Sequence, residues 1–220
     1  MHNRANNDII KQVKNIEILY EDNSLIIVNK PAGLAVQGGK GVKTSLDKLL
    51  PALLVHRLDK DTSGVLLTAK GQEAASNFSR ILGRGSPSAV KMYIAVCKDK
   101  PEKDEGVIKD ELLIRGKVKK SETRYRVIYN GTLPVENMKY SVLELELGTG
   151  RMHQIRRHLA MNGNPVLGDD KYGDFPLNKK LYREMKLKRL LLHASRLIIR
   201  ENNIDIHAPL PEYFKPFMPS

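Results

Sequence analysis

The residues best suited to chemistry lie in the segment His56–Gly64, where a charged block separates two apolar runs. Apolar residues at 54–55 and 65–67 are typical of buried strands, whereas the block between them is too charged for a core. A rigid strand that delivers Arg57 and Asp59 into a loop is a common way to present a cation and a carboxylate. A hairpin with a solvated turn would give the same pattern, so other segments must decide between the two interpretations.

A second charged group follows the glycine-flanked turn at 148–150. The pattern predicts a helix from Arg151 to Asn162, with Met152 in its apolar stripe and with His153 and Arg156 on a neighbouring face. The start of a helix that carries Arg and His suits an anion, which could be a phosphate or a carboxylate.

Two other kinds of chemistry are worth weighing. Four carboxylates could hold two metal ions in a nuclease, if they converged: Asp59, Asp61, Asp169 and Asp170. The glycine-rich loop at 37–41 lacks the Gly-Lys-Ser/Thr ending of a nucleotide-binding loop, which argues against ATP or GTP. The chain has one cysteine, Cys97, so neither an intrachain disulfide nor a cysteine-based zinc site is possible.

The charge balance indicates the partner. The 220 residues include 37 Lys and Arg against 25 Asp and Glu, a net charge of +12 that is spread along the chain. Such a surface favours a polyanion, most often nucleic acid. No apolar run approaches the roughly 20 residues that a bilayer requires, and no secretory leader opens the chain, so we expect a cytoplasmic protein with no membrane partner.

The elements that must position these residues are mostly strands. Predicted strands, besides those around the charged block, lie at 16–20, 25–29, 91–96, 106–114, 123–129, 140–147, 189–199 and 204–211. Further helices are predicted at 44–51, 71–82 and 177–187. The basic tip at 115–120 is either a solvated turn or a phosphate contact. We therefore expect an α+β fold on a largely antiparallel sheet, with a flexible segment at 1–15 and one domain at 16–220.

Six short motifs occur in an order that resembles the RluA-type pseudouridine synthases, from about residue 16 to residue 215. They are Asn29-Lys30-Pro31-x-Gly33, His56-Arg57-Leu58-Asp59-x-x-Thr62-Ser63-Gly64, Lys91-x-Tyr93, Gly150-Arg151-x-His153-Gln154-Ile155-Arg156-x-His158, Leu167-Gly168-Asp169-x-x-Tyr172-Gly173 and Leu191-Leu192-His193-Ala194. The glycines at 38, 39 and 41 resemble the branch that acts on large-subunit (23S) ribosomal RNA. That branch typically carries an amino-terminal S4 RNA-binding domain, and we expect here the catalytic domain without it.

The resemblance implies a pseudouridine synthase fold, in which a long, mixed and mainly antiparallel sheet with flanking helices surrounds an RNA-binding cleft. It also implies an isomerisation, in which a flipped uridine loses its N1–C1′ bond, turns, and bonds to C1′ through C5. Asp59 matches the catalytic carboxylate, a nucleophile or a base at the sugar. Arg156 matches the basic group that would keep Asp59 ionised, and Tyr93 matches the residue that stacks on the base and helps move the proton from C5.

Five further residues match substrate-binding positions of the family. Arg57 would enter the space that the flipped nucleotide vacates, and Leu191 or Leu192 would pack on the ring. His153 and Thr62 are the other two candidates. The resemblance implies no metal and no cofactor, since isomerisation needs neither redox power nor ATP, and we expect a monomer. Alternatives are a tRNA substrate, or a non-catalytic RNA-binding factor of ribosome assembly.

Overall fold

The computed structural model describes residues 16–39, 41–83, 88–114 and 116–219. The predicted flexible segment at 1–15 lies outside these residues. The described chain forms two compact units. The first unit contains the residues up to Ala89 together with Arg196–Pro209, and the second contains Val90–Ser195 together with the residues from Leu210 onward.

The described residues form mainly strands, and short helices separate groups of consecutive strands. The strands are β1 Glu17–Glu21, β2 Leu25–Lys30, β3 Leu53–Leu54, β4 Ser63–Ala69, β5 Ala89–Lys98, β6 Glu105–Ile114, β7 Lys117–Thr132, β8 Lys139–Leu147, β9 Leu192–Ile199 and β10 Ile204–His207. The α-helices are α1 Leu46–Leu49, α2 Gln72–Ile81, α3 Gln154–Met161 and α4 Phe175–Met185. Two 3-10 helices lie at Arg200–Asn202 and Glu212–Phe217. The described residues agree with the predicted α+β class, and the antiparallel pairing of their strands agrees with the predicted sheet.

The first unit is organised around β4, whose seven residues are all buried. β4 pairs antiparallel with β2 on one side and with β3 on the other, so that Ala69 faces both Leu25 and Leu53. A central strand that is buried on both faces has a continuous apolar sequence, and for this reason these strands could be predicted from the sequence. The helix α2 confirms the prediction at 71–82 and buries Phe78 and Ile81 against the same core.

The second unit contains the antiparallel series β5–β8–β7–β6. β7 has 16 residues, many more than the predicted strand at 123–129. The predicted basic tip at 115–120 is therefore mostly strand, because the backbone of Lys117–Lys120 pairs with β6. Arg115 lies outside the described residues. Antiparallel pairing satisfies the backbone of a charged sequence as well as that of an apolar one, so charge alone misled the prediction.

The helix predicted from Arg151 to Asn162 begins later, at Gln154. His153 is its N-cap residue and has a left-handed backbone, with φ of 54°. Met152 is therefore not in the apolar stripe of the helix, and it is 49% exposed. The cause is Gln154, whose side-chain oxygen accepts hydrogen bonds from the Arg151 backbone N–H and the Thr149 hydroxyl. These bonds hold residues 149–151 in a turn before the helix.

Candidate active site

In the first unit, hydrogen bonds or burial hold every second residue of the loop between β3 and β4, at positions 56, 58, 60 and 62. The Leu67 backbone N–H donates to Nε2 of His56 at 3.0 Å, and Leu58 is buried. The Lys60 carbonyl accepts a bond from the Gly33 N–H at 2.9 Å, and the Thr62 N–H donates to the Asp59 carbonyl at 3.2 Å. A loop anchored at this many points holds its remaining side chains in defined positions.

Lys30 provides a further anchor, with three hydrogen bonds. Its side chain is fully buried, and Nζ donates to the carbonyls of Pro31, Leu34 and Lys60 at 2.9, 2.9 and 3.0 Å. Three acceptors match the three donors of an ammonium group. Burial lowers the pKa of Lys30 to about 7, while the charges of Asp61 and Asp59 act in the opposite direction. Lys30 therefore ties the end of β2 to the loop that carries Asp59.

The predicted residues of this loop differ in exposure. Arg57 is exposed and Asp59 is partly buried, so both can meet a substrate. Thr62 is 2% exposed, and among the described residues its hydroxyl oxygen has no hydrogen-bond partner. In this structure Thr62 contributes the backbone hydrogen bond that closes the turn after Asp59.

In the second unit, Tyr93 lies on β5 opposite Leu145 of β8 and is 7% exposed. Leu145 also faces Tyr125 of β7, so these three side chains share one face of the sheet. Thr123 is on the same face and accepts a bond from Gln154 at 3.0 Å, which places α3 over that face. The ring of Tyr93 is thus held on the side of the sheet that carries α3.

Arg156 is 4% exposed and forms a bidentate ion pair with Asp169. Its Nε and Nη2 atoms donate to the two carboxylate oxygens at 2.7 Å each, and Nη2 also lies 3.2 Å from Asp170. The Tyr172 ring lies 5.4 Å from the guanidinium carbon. These bonds fix the plane of the guanidinium.

The turn that carries Asp169 is stabilised by residues of the motif at 167–173. Burial alone would raise the pKa of the Asp169 carboxyl, but bonds from Arg156 and from the backbone N–H groups of Tyr172 and Lys171 outweigh burial and lower that pKa. Gly168 has a φ of +75°, and a Cβ there would lie 2.1 Å from the Arg189 carbonyl oxygen. A side chain is therefore not tolerated beside Asp169.

The remaining predicted residues of the second unit surround this ion pair or support β5. Nδ1 of His153 lies 3.1 Å from the Tyr172 hydroxyl, and the two rings are 5.6 Å apart. Leu191 and Leu192 are both buried. The Leu191 carbonyl accepts a bond from the Val96 N–H of β5 at 3.0 Å. His153 therefore belongs to the environment of Arg156 through Tyr172.

The carboxylates do not form the metal site that the nuclease alternative requires. In the part of the chain that the structure describes, no three His, Cys, Asp or Glu residues are grouped so as to hold a metal ion. The Asp169 carboxylate accepts hydrogen bonds from Arg156 and from two backbone N–H groups. Cys97 is buried, and burial raises the pKa of its thiol, as expected of an apolar filler residue.

Comparison with known proteins decides the family. Residues 24–161 match the family model described as RNA pseudouridylate synthase. The chain belongs to this family. It is 37% identical to the ribosomal large subunit pseudouridine synthase C of Rickettsia felis over 94% of this chain and 71% of the relative. It is 38% identical to the protein of that name from Haemophilus influenzae, over 81% and 59%.

A solved structure supports the same conclusion for the fold. The human RNA pseudouridylate synthase domain containing 4 aligns with 98% of this chain and 95% of its own, with a TM-score of 0.77 and 26% identity. The chain is thus an RluA-type RNA pseudouridine synthase, an isomerase, and it has the α+β pseudouridine synthase fold that the sequence predicted.

Two charged residues of the synthase were not recognised from the sequence as parts of the site. Lys30 was noted as a motif residue at the end of a strand, and Asp169 as a motif residue and a metal-ligand candidate. Both are fully buried, and each binds a predicted catalytic residue or its loop. The available signal was a charged residue two positions after an apolar run, since Lys30 comes two residues after Leu25–Val28 and Asp169 two residues after Val166-Leu167.

We expect the Lys30→Met variant to lose stability and activity together. The substitution removes the ammonium donor from the carbonyls of Pro31 and Leu34, at a cost of about 1–3 kcal/mol per unsatisfied group, while the Lys60 carbonyl keeps its bond from the Gly33 N–H. A loop that shifts by about 1 Å can lower the rate roughly 100-fold. Urea unfolding and single-turnover pseudouridine formation measure the two effects.

The matched control is Lys70→Met, the same change at an exposed lysine next to β4, where Lys70 pairs with Glu21 at 2.7 Å. Surface changes of this kind alter stability by about 0.5 kcal/mol or less. Equal losses of stability in the Lys30 and Lys70 variants would show that the buried ammonium does not hold the loop.

Proposed function

We propose that this synthase converts specific uridines to pseudouridine in large-subunit ribosomal RNA. The observation that carries the proposal is the name shared by its relatives, which are large-subunit pseudouridine synthases at 33–38% identity. The net charge of +12 supports an RNA partner.

Asp59 acts at the sugar of the flipped uridine, as a nucleophile or as a base. The N1–C1′ bond breaks, the uracil turns, and a C5–C1′ bond forms. C5 then gives up its proton and N1 gains one, so that the product is an isomer of the substrate. One carboxylate suffices because uracil is recaptured and not lost to water, whereas glycoside hydrolysis commonly uses two.

Arg156 supplies the positive charge that keeps Asp59 ionised during this sequence. In support, the bonds of Arg156 to Asp169 and Asp170 hold its guanidinium in one orientation. Tyr93 stacks on the uracil and helps to move the proton from C5. The buried position of its ring on β5 supports a fixed platform of this kind.

The other residues hold the RNA. Arg57 enters the space that the flipped nucleotide leaves, and its exposure suits that role. Leu191 or Leu192 packs on the ring, and His153 orients the region of Arg156 through Tyr172. Thr62 supports the substrate loop through its backbone. The synthase acts without a metal or a cofactor, as a monomer in the cytoplasm. No helix in the described ranges is long and apolar enough to cross a membrane.

Pseudouridine mapping of total RNA from cells with and without the gene tests the substrate. We expect one or a few large-subunit positions to lose pseudouridine when the gene is deleted, and to regain it on complementation. A loss confined to tRNA would replace ribosomal RNA by tRNA as the substrate. An unchanged map would exclude a modifying role in these cells and would favour a non-catalytic RNA-binding factor.

A further inference from the structure

We propose that the exposed face of α4 binds unpaired nucleotides that flank the target uridine. This inference rests on the proposed function and adds a second RNA-binding surface to it. The surface is a stripe formed by Phe175, Lys179, Tyr182 and Lys186, which we call the α4 stripe.

The spacing and exposure of these residues define the stripe. They follow one another at intervals of four, three and four residues, which places them on one side of the helix, with Lys186 at its C-cap. Phe175 is 55% exposed and Tyr182 is 49% exposed. The opposite side of α4 is buried through Leu177 and Leu181. Two half-exposed aromatic rings that alternate with lysines along the helix therefore face away from its buried side.

The charge around the stripe is strongly positive. Residues 171–189 contain seven Lys and Arg but only two Asp and Glu, although they are less than a tenth of the chain. One of the two acids, Asp174, caps α4 and pairs with Lys98 at 2.9 Å. Lys179, Arg183 and Lys186 are exposed. A polyanion fits this surface better than an apolar or acidic protein does.

The aromatic rings indicate which polyanion. Unpaired nucleotides bind where cations meet the backbone phosphates and where aromatic rings stack on the bases. Tyr182 combines the two kinds of group, since the Lys188 ammonium lies 5.8 Å from its ring and both residues are exposed. The chain has few aromatic residues, 5% in all, so this is a local platform and not a general single-strand binding surface.

The helix is also tied to the ion pair of Arg156. Asn178 of α4 accepts a bond from the Gly168 N–H at 2.9 Å and donates to the Asp169 carbonyl at 2.8 Å. Lys186 lies about 12 Å farther along the helix than Asn178, at 1.5 Å per residue. The stripe therefore belongs to a helix that is bonded directly to the turn that carries Asp169, the partner of Arg156.

The test is RNA affinity against salt concentration. The triple variant Lys179→Ala, Arg183→Ala and Lys186→Ala removes the two stripe lysines and the exposed arginine beside them. It should reduce the slope of log affinity against log salt by about 0.7 for each lost phosphate contact, or about 2 for three. The probe is a large-subunit ribosomal RNA fragment. The matched control replaces three exposed lysines elsewhere in the second unit by alanine: Lys100, Lys103 and Lys139. We expect the control to keep a slope close to that of the wild type.

A second pair of variants tests the ring separately from charge. Tyr182→Ala should weaken binding about tenfold or more, as expected for the loss of one stacked base, whereas Tyr182→Phe should bind like the wild type. Pairing the flanking nucleotides with a complementary oligonucleotide should abolish the difference between the two.

The outcomes separate this inference from the proposed function. Equal slopes for the two triple variants, or wild-type affinity for Tyr182→Ala, would overturn the role of the α4 stripe while leaving turnover by the wild type unaffected. Failure of the wild type to modify any ribosomal RNA would overturn the proposed substrate instead, and the comparison of slopes would still decide the role of the stripe.

Discussion

The Asp59→Asn variant is expected to form pseudouridine at least about 10⁴-fold more slowly than the wild type, the scale of loss seen when a catalytic nucleophile is removed. Asparagine keeps the size and shape of the side chain but cannot act as a nucleophile or a base at the sugar. The loop is held by bonds to other groups, from Lys30, Gly33 and the Thr62 backbone, so the fold should remain intact. Single-turnover release of tritium from RNA labelled at C5 of uridine measures the rate.

The matched control is Asp61→Asn, two residues along the same loop. It removes the same charge from a partly buried carboxylate that the proposed mechanism does not use. We expect it to retain turnover within about tenfold of the wild type, the loss of a supporting interaction worth about 1.4 kcal/mol. Both variants should bind RNA nearly as well as the wild type. Equal rates for the two variants would remove Asp59 from the chemistry.

The second large effect is expected for Asp169→Asn. Breaking a buried ion pair by removing one partner typically costs about 3–5 kcal/mol, because it leaves a buried charge uncompensated, here the guanidinium of Arg156. A loss of this size lowers the unfolding temperature of a protein of this length by roughly 10 °C. Activity should fall as well, since the plane of the guanidinium is no longer fixed. Thermal unfolding and single-turnover rates measure the two effects.

Asp170→Asn is its matched control, since Asp170 also lies within 3.2 Å of Arg156 but is 80% exposed. Exposed ion pairs contribute about 0–1 kcal/mol, so the control should unfold within about 3 °C of the wild type. If the two variants lost equal stability, burial of the Asp169 pair would not be the source of its contribution.

The pH dependence of the Asp169 contribution follows from its lowered pKa. Its carboxylate is more acidic in the folded chain than in the unfolded chain, so the unfolded state binds the proton first as the pH falls. The contribution is present above the unfolded pKa, near 4, and is lost as the pH falls through the folded pKa. The stability difference between the wild type and Asp169→Asn should therefore shrink in acid.

The sequence allowed the strands and the chemically distinctive residues to be predicted, because both leave local signals. β4 reads as an apolar run bounded by polar loops, and α2 shows helical spacing. The family motifs indicated Asp59, Tyr93 and Arg156 as candidates.

The contacts that fix these groups could not be predicted, because they join residues far apart in the chain. Lys30 binds the carbonyl of Lys60, and Asp169 binds Arg156 across a gap of 13 residues. Spacing gives no information about which acid will meet a given arginine. The start of α3 was misplaced for a different reason, since local bonds from the Gln154 side chain to the preceding turn determine it, and helical spacing does not show them.

The most direct test of the account compares pseudouridine maps of large-subunit ribosomal RNA from a deletion strain complemented with the wild type, Asp59→Asn or Asp61→Asn. The account predicts that the wild type and Asp61→Asn restore the same large-subunit positions, while Asp59→Asn restores none despite equal protein levels. Restoration of those positions by Asp59→Asn would contradict the central claim that the Asp59 carboxylate carries the isomerisation.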